Sequence, residues 1–174
     1  MNKIKITNIL FSLSIIAIFL KAIISAITYD EARSFLNYVY VNNVFNIGVG
    51  TNHLLNTVLT YLTTFFSYDV FFIRLPNLIF GIIYLLVALK IANLTPFSAE
   101  SFVLLSFSPL LFEFFSLSRG YGISASLNFL AITIYYFTNI NKKFYLSNLI
   151  LVISCYSIYT NTILLFVFNF IVLF

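Results

Sequence analysis

Charge is scarce in this chain: only 8% of its 174 residues are Asp, Glu, Lys or Arg, whereas 61% are hydrophobic, with 22 Phe and 12 Tyr among them. A soluble globule of this size could not hide so much apolar surface from water, so lipid is the expected solvent. Cysteine is nearly absent, and the lone Cys155 excludes an internal disulfide and cannot by itself build a zinc site. Histidine is also single, and no His-Glu-x-x-His spacing surrounds His53. The net charge of +4 could suggest nucleic acid, but the nine Lys and Arg are scattered along hydrophobic segments and form no phosphate-tracking stripe. Membrane lipids, and no nucleic acid, are the expected surroundings.

What the chain has is long apolar runs. They predict spans at about 9–27, 74–92, 101–117, 121–138, 146–158 and 161–174, the last two being one long run divided by the polar residues around Tyr159–Thr162. Spanning segments must be helices, because an isolated strand would leave backbone groups unpaired in lipid. The expected fold class is therefore all-α integral membrane, a polytopic helical bundle. The charged start Met1-Asn2-Lys3-Ile4-Lys5 is like that of a signal peptide, but the run behind it exceeds the roughly 7–15 residues of a signal core and is expected to stay as an anchor. Residues 1–174 are expected to be the N-terminal part of one polytopic domain, since the chain stops at Phe174 inside an apolar run.

Two juxtamembrane amphipathic helices, about 31–45 and 52–68, are expected between the first two spans. In the second, Leu54, Leu55, Val58, Leu59, Leu62, Phe65 and Phe66 recur at helical spacing, with Asn56, Thr57, Thr60, Thr63, Thr64 and Ser67 on the other side. Such a helix suits the headgroup level or the flank of a bundle. With it lying outside the bilayer, Lys3, Lys5, Lys90, Lys142 and Lys143 share one side and Arg33, Arg74 and Arg119 the other. The positive-inside rule then makes the lysine side and the N-terminus cytoplasmic. Asp30, Glu31, Asp69 and Glu113 join the arginines outside. A guanidinium binds phosphate or carboxylate bidentately, so a face with arginine as its only cation suits ligands or ion pairs.

The adjacent acids Asp30 and Glu31, just beyond the first span, are the leading candidates for chemistry. A carboxylate at the lipid boundary can take a proton from a hydroxyl as it attacks an activated carbon; the plainer alternative is that Asp30 caps the next helix and Glu31 pairs with Arg33 or the helix dipole. His53 either orients a phosphate or sugar or is a solvated residue behind a cap at Thr51 or Asn52. Arg74, before Leu75-Pro76, is an interfacial anchor or an anion ligand. Glu113 and Arg119 flank a short link between spans, where they pair with each other or Arg119 holds a lipid phosphate while Gly120 and Gly122 permit close approach. Lys21 is expected to snorkel.

In order, Tyr29-Asp30-Glu31-Ala32-Arg33, Asn52-His53-Leu54-Leu55-Asn56-Thr57, Ile73-Arg74-Leu75-Pro76 and Glu113-Phe114-Phe115-Ser116-Leu117-Ser118-Arg119-Gly120-Tyr121-Gly122 resemble the opening of the GT-C class glycosyltransferases, nearest to the protein O-mannosyltransferase and aminoarabinose transferase group. The resemblance implies a GT-C-like bundle that passes a sugar from a polyprenyl-phosphate donor to a protein, lipid or glycan acceptor on the outer face of a bacterial cytoplasmic membrane. It assigns Asp30 as general base and Glu31 as its positioning partner. His53, Arg74, Arg119 and Tyr121 fall to the donor phosphate or substrate, with Asn52 and Glu113 in support. Where many relatives have His-Pro-Pro, this chain has His53-Leu54-Leu55. One base directing one in-line displacement implies inversion at the anomeric carbon. No cofactor is predicted, although clustered acids can share a divalent metal with a phosphate. A transporter or lipid-handling bundle, and an inactive truncated product, are the alternative readings.

Overall fold

The computed structural model describes residues 3–45 and 53–173, and every regular element among them is helical. Helix α1 (Lys3–Ile24) is apolar almost throughout; its stretch Lys5–Ile24 rises about 30 Å at ~1.5 Å per residue, enough to cross a membrane. It ends at Ser25, and Thr28 opens α2 (Tyr29–Ser34) with a capping box: Glu31 N–H donates to Thr28 Oγ1, and Thr28 N–H donates to Glu31 Oε2. The chain then widens into a π-helical turn, Phe35–Tyr40, which ends before Asn42 at φ 56°. The juxtamembrane helix expected over about 31–45 is thus a six-residue α-helix continued by this turn.

Helix α3 (Leu54–Thr64) is shorter than the expected 52–68, and its orientation is the reverse of a water-facing helix. Asn56, Thr57, Thr60 and Thr64 are buried, while Leu62, Phe65 and Phe66 are exposed. The cause lies in α4 (Val70–Ala92), the second helix long and apolar enough to cross a membrane. Pro76 inside it has no N–H, so the carbonyl of Phe72, four residues back, loses its helical donor. Thr63 Oγ1 donates to that carbonyl at 2.7 Å, and Thr60 Oγ1 approaches the next one, Ile73 O, at 3.4 Å. A proline in one helix thereby draws the threonine face of another.

Helices α5 (Ser98–Ser106) and α6 (Pro109–Ser116) meet at a 60° bend, so the span expected over 101–117 is broken. Pro109 is the reason: the residue before a proline disfavours the helical region, and Ser108 is extended at φ −104°, ψ 127°. Counting this pair as one, three segments among the described residues are long and apolar enough to cross. Helix α7 (Tyr121–Phe137) follows Gly120 at φ 75°. Helices α8 (Lys143–Cys155) and α9 (Asn161–Leu173) have 13 residues each, ~20 Å of rise, and begin and end close to but not at the expected 146–158 and 161–174.

Ile18, Ala22, Leu78, Leu85, Ala88, Phe102 and Phe115 form the main core between α1, α4, α5 and α6. Gly81 admits Phe115 to α4, since a Cβ there would stand 2.8 Å from Phe115 Cβ. Ala131, Leu151 and Phe168 join α7, α8 and α9. Small hydroxyls close the helix contacts: Ser126 Oγ donates to Phe80 O and Ser147 Oγ to Ala131 O. The chain alternates between two ends of the bundle. Lys5, Lys90, Glu100, Lys142 and Lys143 fall at one, where Thr7 bonds Ser98; Asp30, Glu31, Arg33, Arg74 and Arg119 fall at the other.

Thr63→Val is expected to destabilise the protein by about 1–3 kcal/mol by leaving the Phe72 carbonyl without a donor. In a Pro76→Ala background, where residue 76 regains an N–H, the loss should drop below about 1 kcal/mol. Denaturant unfolding of the four proteins in detergent gives the cycle, and equal losses in both backgrounds would refute the link.

Candidate functional site

One carboxylate organises the arginine-bearing end. Glu31 is fully buried and accepts four hydrogen bonds: from Arg74 Nε and Nη2 at 2.9 and 2.8 Å, from Ser118 N–H at 2.7 Å and from Thr28 N–H at 2.9 Å. Burial pushes its carboxyl up, but the Arg74 and backbone hydrogen bonds and the guanidinium charge outweigh this and hold it below its ordinary value. Arg74 in turn spends its three remaining N–H groups on Ala22 O, Ser25 O and Ala26 O, at and just beyond the end of α1. These include carbonyls that a helix terminus leaves without partners, and a cation there suits the helix dipole.

Above this pair lies a cavity of about 250 Å³. Asp30, Arg33 and Ser34 come to it from α2, Tyr38 from the π-helical turn, and His53 from the start of α3. Ser118, Arg119 and Tyr121 come from the α6–α7 turn. Arg119 Nη2 stands 3.4 Å from Asp30 Oδ2, with the side chains 31% and 63% exposed, so the pair is loose and both groups remain open to a ligand. Arg119 Nε is buried with no hydrogen-bond partner. Arg33 forms no ion pair among the described residues. One carboxylate against two guanidinium groups leaves the cavity positive, and it favours an anion.

His53 is held on several sides. Its Nδ1 donates to Ser157 O at 2.9 Å, and its ring meets the edge of Tyr121 at 5.3 Å, Tyr121 itself stacking on Phe114. Gly120 makes the approach feasible, because a Cβ there would stand 3.0 Å from His53 Cβ and the backbone sits at φ 75°. Burial pushes the imidazole pKa down, against the opposing effects of the Ser157 carbonyl and the Asp30 charge. The lowered pKa favours the neutral ring at pH 7. Beneath the turn, Asn77 Nδ2 donates to Asn56 Oδ1 at 2.6 Å and Asn56 Nδ2 to Ser118 Oγ at 3.2 Å, tying α4 and α3 to the residue beside Arg119.

Asp30, His53, Arg119 and Tyr121, four of the residues singled out from sequence, therefore share one cavity. Three others need correction. Arg74 has no donor left for a phosphate, because all five of its N–H groups are used inside the protein. Glu31 points inward to Arg74, does not bond Arg33 and does not itself line the cavity, which it touches only through the Ser118 N–H. Glu113 is exposed on α6, does not line the cavity and does not pair with Arg119, whose partner is Asp30. Asn52 lies outside the described residues. Arg33, Ser34, Tyr38 and Ser118 were missed. Arg33 was within reach of sequence reasoning, three residues after Asp30 and so on the same helix face; Tyr38 reaches the cavity through a π turn that no spacing rule announces. Among the described residues no three His, Cys, Asp or Glu converge as a metal group would require.

No protein family, curated protein or solved structure gives a match to this chain.

Both shifted groups make the fold acid-labile, in different windows. The His53 pKa is lowered on folding, so below about 6.5 the unfolded chain binds the proton first and stability falls. Glu31 is lowered from 4.5, so its contribution is present above that value and lost as pH falls through the lower folded one. His53→Gln should flatten the stability profile near pH 6 and Glu31→Gln the profile below 4.5, at the cost of lower stability at pH 7 for the latter. Unfolding midpoints measured from pH 3 to 8 check both.

Proposed function

We propose that this chain embeds in a membrane and carries the donor and base region of a glycosyltransferase that moves a sugar from a polyprenyl phosphate to an acceptor hydroxyl. The observation that supports it is the joining of Asp30, Arg33 and Arg119 in one open cavity at the end of apolar helices. A lipid-linked substrate presents its phosphate at just such a boundary, where two guanidinium groups can hold it and stabilise the charge that develops as it leaves. Asp30 takes the proton of the attacking hydroxyl, and a single base on one side of the anomeric carbon inverts it. Glu31 and Arg74 act beneath, as the positioning pair that sets α2 and the α6–α7 turn at fixed separation.

The sidedness proposed is that of the charges: lysine end cytoplasmic, cavity outside. A reporter fused after Lys143 should register as cytoplasmic; an external signal would reverse the assignment of the cavity to the outer face. The transporter reading has less support, since the buried ion pair of Glu31 and Arg74 closes on itself and offers no path of open polar groups.

Asp30→Asn should lower sugar transfer by about 10²–10⁴ while membrane insertion and folding stay normal. Arg33→Gln and Arg119→Gln should raise the donor KM. Transfer unaffected by Asp30→Asn, measured with radiolabelled polyprenyl-phosphate sugars, would end the base assignment.

A further inference from the structure

We infer that His53 reads a hydroxyl of the sugar, accepting a hydrogen bond through Nε2 beside the arginines that hold the phosphate. The inference rests on the donor-site reading above and deepens it. Its basis is the partner of the other ring nitrogen: Ser157 O, 2.9 Å from Nδ1, is a carbonyl and can only accept. Nδ1 must therefore carry the hydrogen, and in the neutral ring Nε2 is left as a bare lone pair. No group among the described residues donates to it, and the cavity is the open space that His53 lines.

A lone pair excludes some ligands. The phosphodiester of a lipid-linked sugar carries only acceptor oxygens at neutral pH, so it gains nothing from Nε2; the expected role of His53 at the donor phosphate does not fit this tautomer. Arg33 and Arg119 offer only donors and match the phosphate. A hydroxyl is the group that completes Nε2, and the sugar supplies hydroxyls within one ring of the phosphate. The histidine is also held ready, by Ser157 O, by the Tyr121 edge and by the α3 backbone through the Thr57 N–H to His53 O bond of 2.9 Å. A group so held loses little freedom when it binds. His53 is on these grounds a specificity residue that separates a sugar-bearing lipid phosphate from a bare one.

The test compares farnesyl phosphate with farnesyl phosphate esterified to glucose, mannose or arabinose, binding to the full chain in nanodiscs at pH 7.5. His53→Asn keeps a donor where Nδ1 stands and removes Nε2. It should weaken the best sugar-bearing probe about fivefold, the worth of one neutral hydrogen bond, and leave farnesyl phosphate unchanged. Equal weakening of both probes, or of neither, overturns the inference. As a measurement that needs no variant, the single histidine allows its ¹⁵N signals to be assigned directly: the Nδ1–H tautomer is expected, with the Nε2 signal moving when the sugar-bearing probe is added and staying with farnesyl phosphate. An Nε2–H tautomer, or no movement, also overturns it. Binding of the sugar-bearing probes with no difference between the wild type and His53→Asn defeats this inference alone, whereas rejection of every sugar-bearing probe defeats the donor-site reading and this one together.

Discussion

Burying the Glu31 carboxylate against Arg74 is the constraint on which the rest of this end of the molecule depends. Taking both charges out of water costs several kcal/mol per ion, and only complete hydrogen bonding offsets it. Here the bonding is complete: the carboxylate accepts four bonds and the guanidinium donates five. Together these bonds join three parts of the chain to the pair. Arg74 closes the end of α1, Thr28 starts α2, and Ser118 fixes the turn that presents Arg119. Without the pair, α1, α2 and the α6–α7 turn, the last two of which line the cavity, lose their common reference.

The same pair explains why two adjacent acids have unlike fates. Neighbouring residues on an α-helix point about 100° apart, so α2 cannot turn Asp30 and Glu31 the same way. Once Glu31 is drawn inward by Arg74, Asp30 faces the cavity and Arg33, nearly a turn later, faces it too. The buried acid is a fixed part of the frame. The exposed one, loosely paired with Arg119, lines the cavity.

A second constraint runs through buried backbone groups that must find their partners within the protein. Pro76 frees a carbonyl that Thr63 takes up, and that contact sets α3 with its polar side inward and Leu62, Phe65 and Phe66 outward. Asn56 on the same inward face then reaches Asn77 and Ser118. Polar residues in this chain are therefore mostly fastenings between helices, and the apolar ones cover them. That inversion follows from burial: a hydroxyl packed between helices must find its hydrogen-bond partner on a neighbouring helix.

The helical class and the two helices long and apolar enough by themselves to cross a membrane were legible from composition and run length, because hydrophobic length is a local property of the chain. The break at Ser108-Pro109 could be read from the proline, yet a 16-residue apolar stretch over 102–117 hid it. Asp30, His53, Arg119 and Tyr121 were recognisable as polar groups stranded at segment ends. Which arginine is open was not: both stand near segment ends, and only the packing of α1, α2 and the α6–α7 turn around a single carboxylate buries Arg74 and leaves Arg119 at the cavity. Likewise a histidine's letter gives no tautomer; that required Ser157, 104 residues away, to bring its carbonyl to one side of the ring. The sequence alone determined which segments shun water and where the ionisable groups sit along them, while long-range hydrogen bonding, which no local pattern encodes, decided which of those groups are sealed into the frame and which are left to meet a ligand.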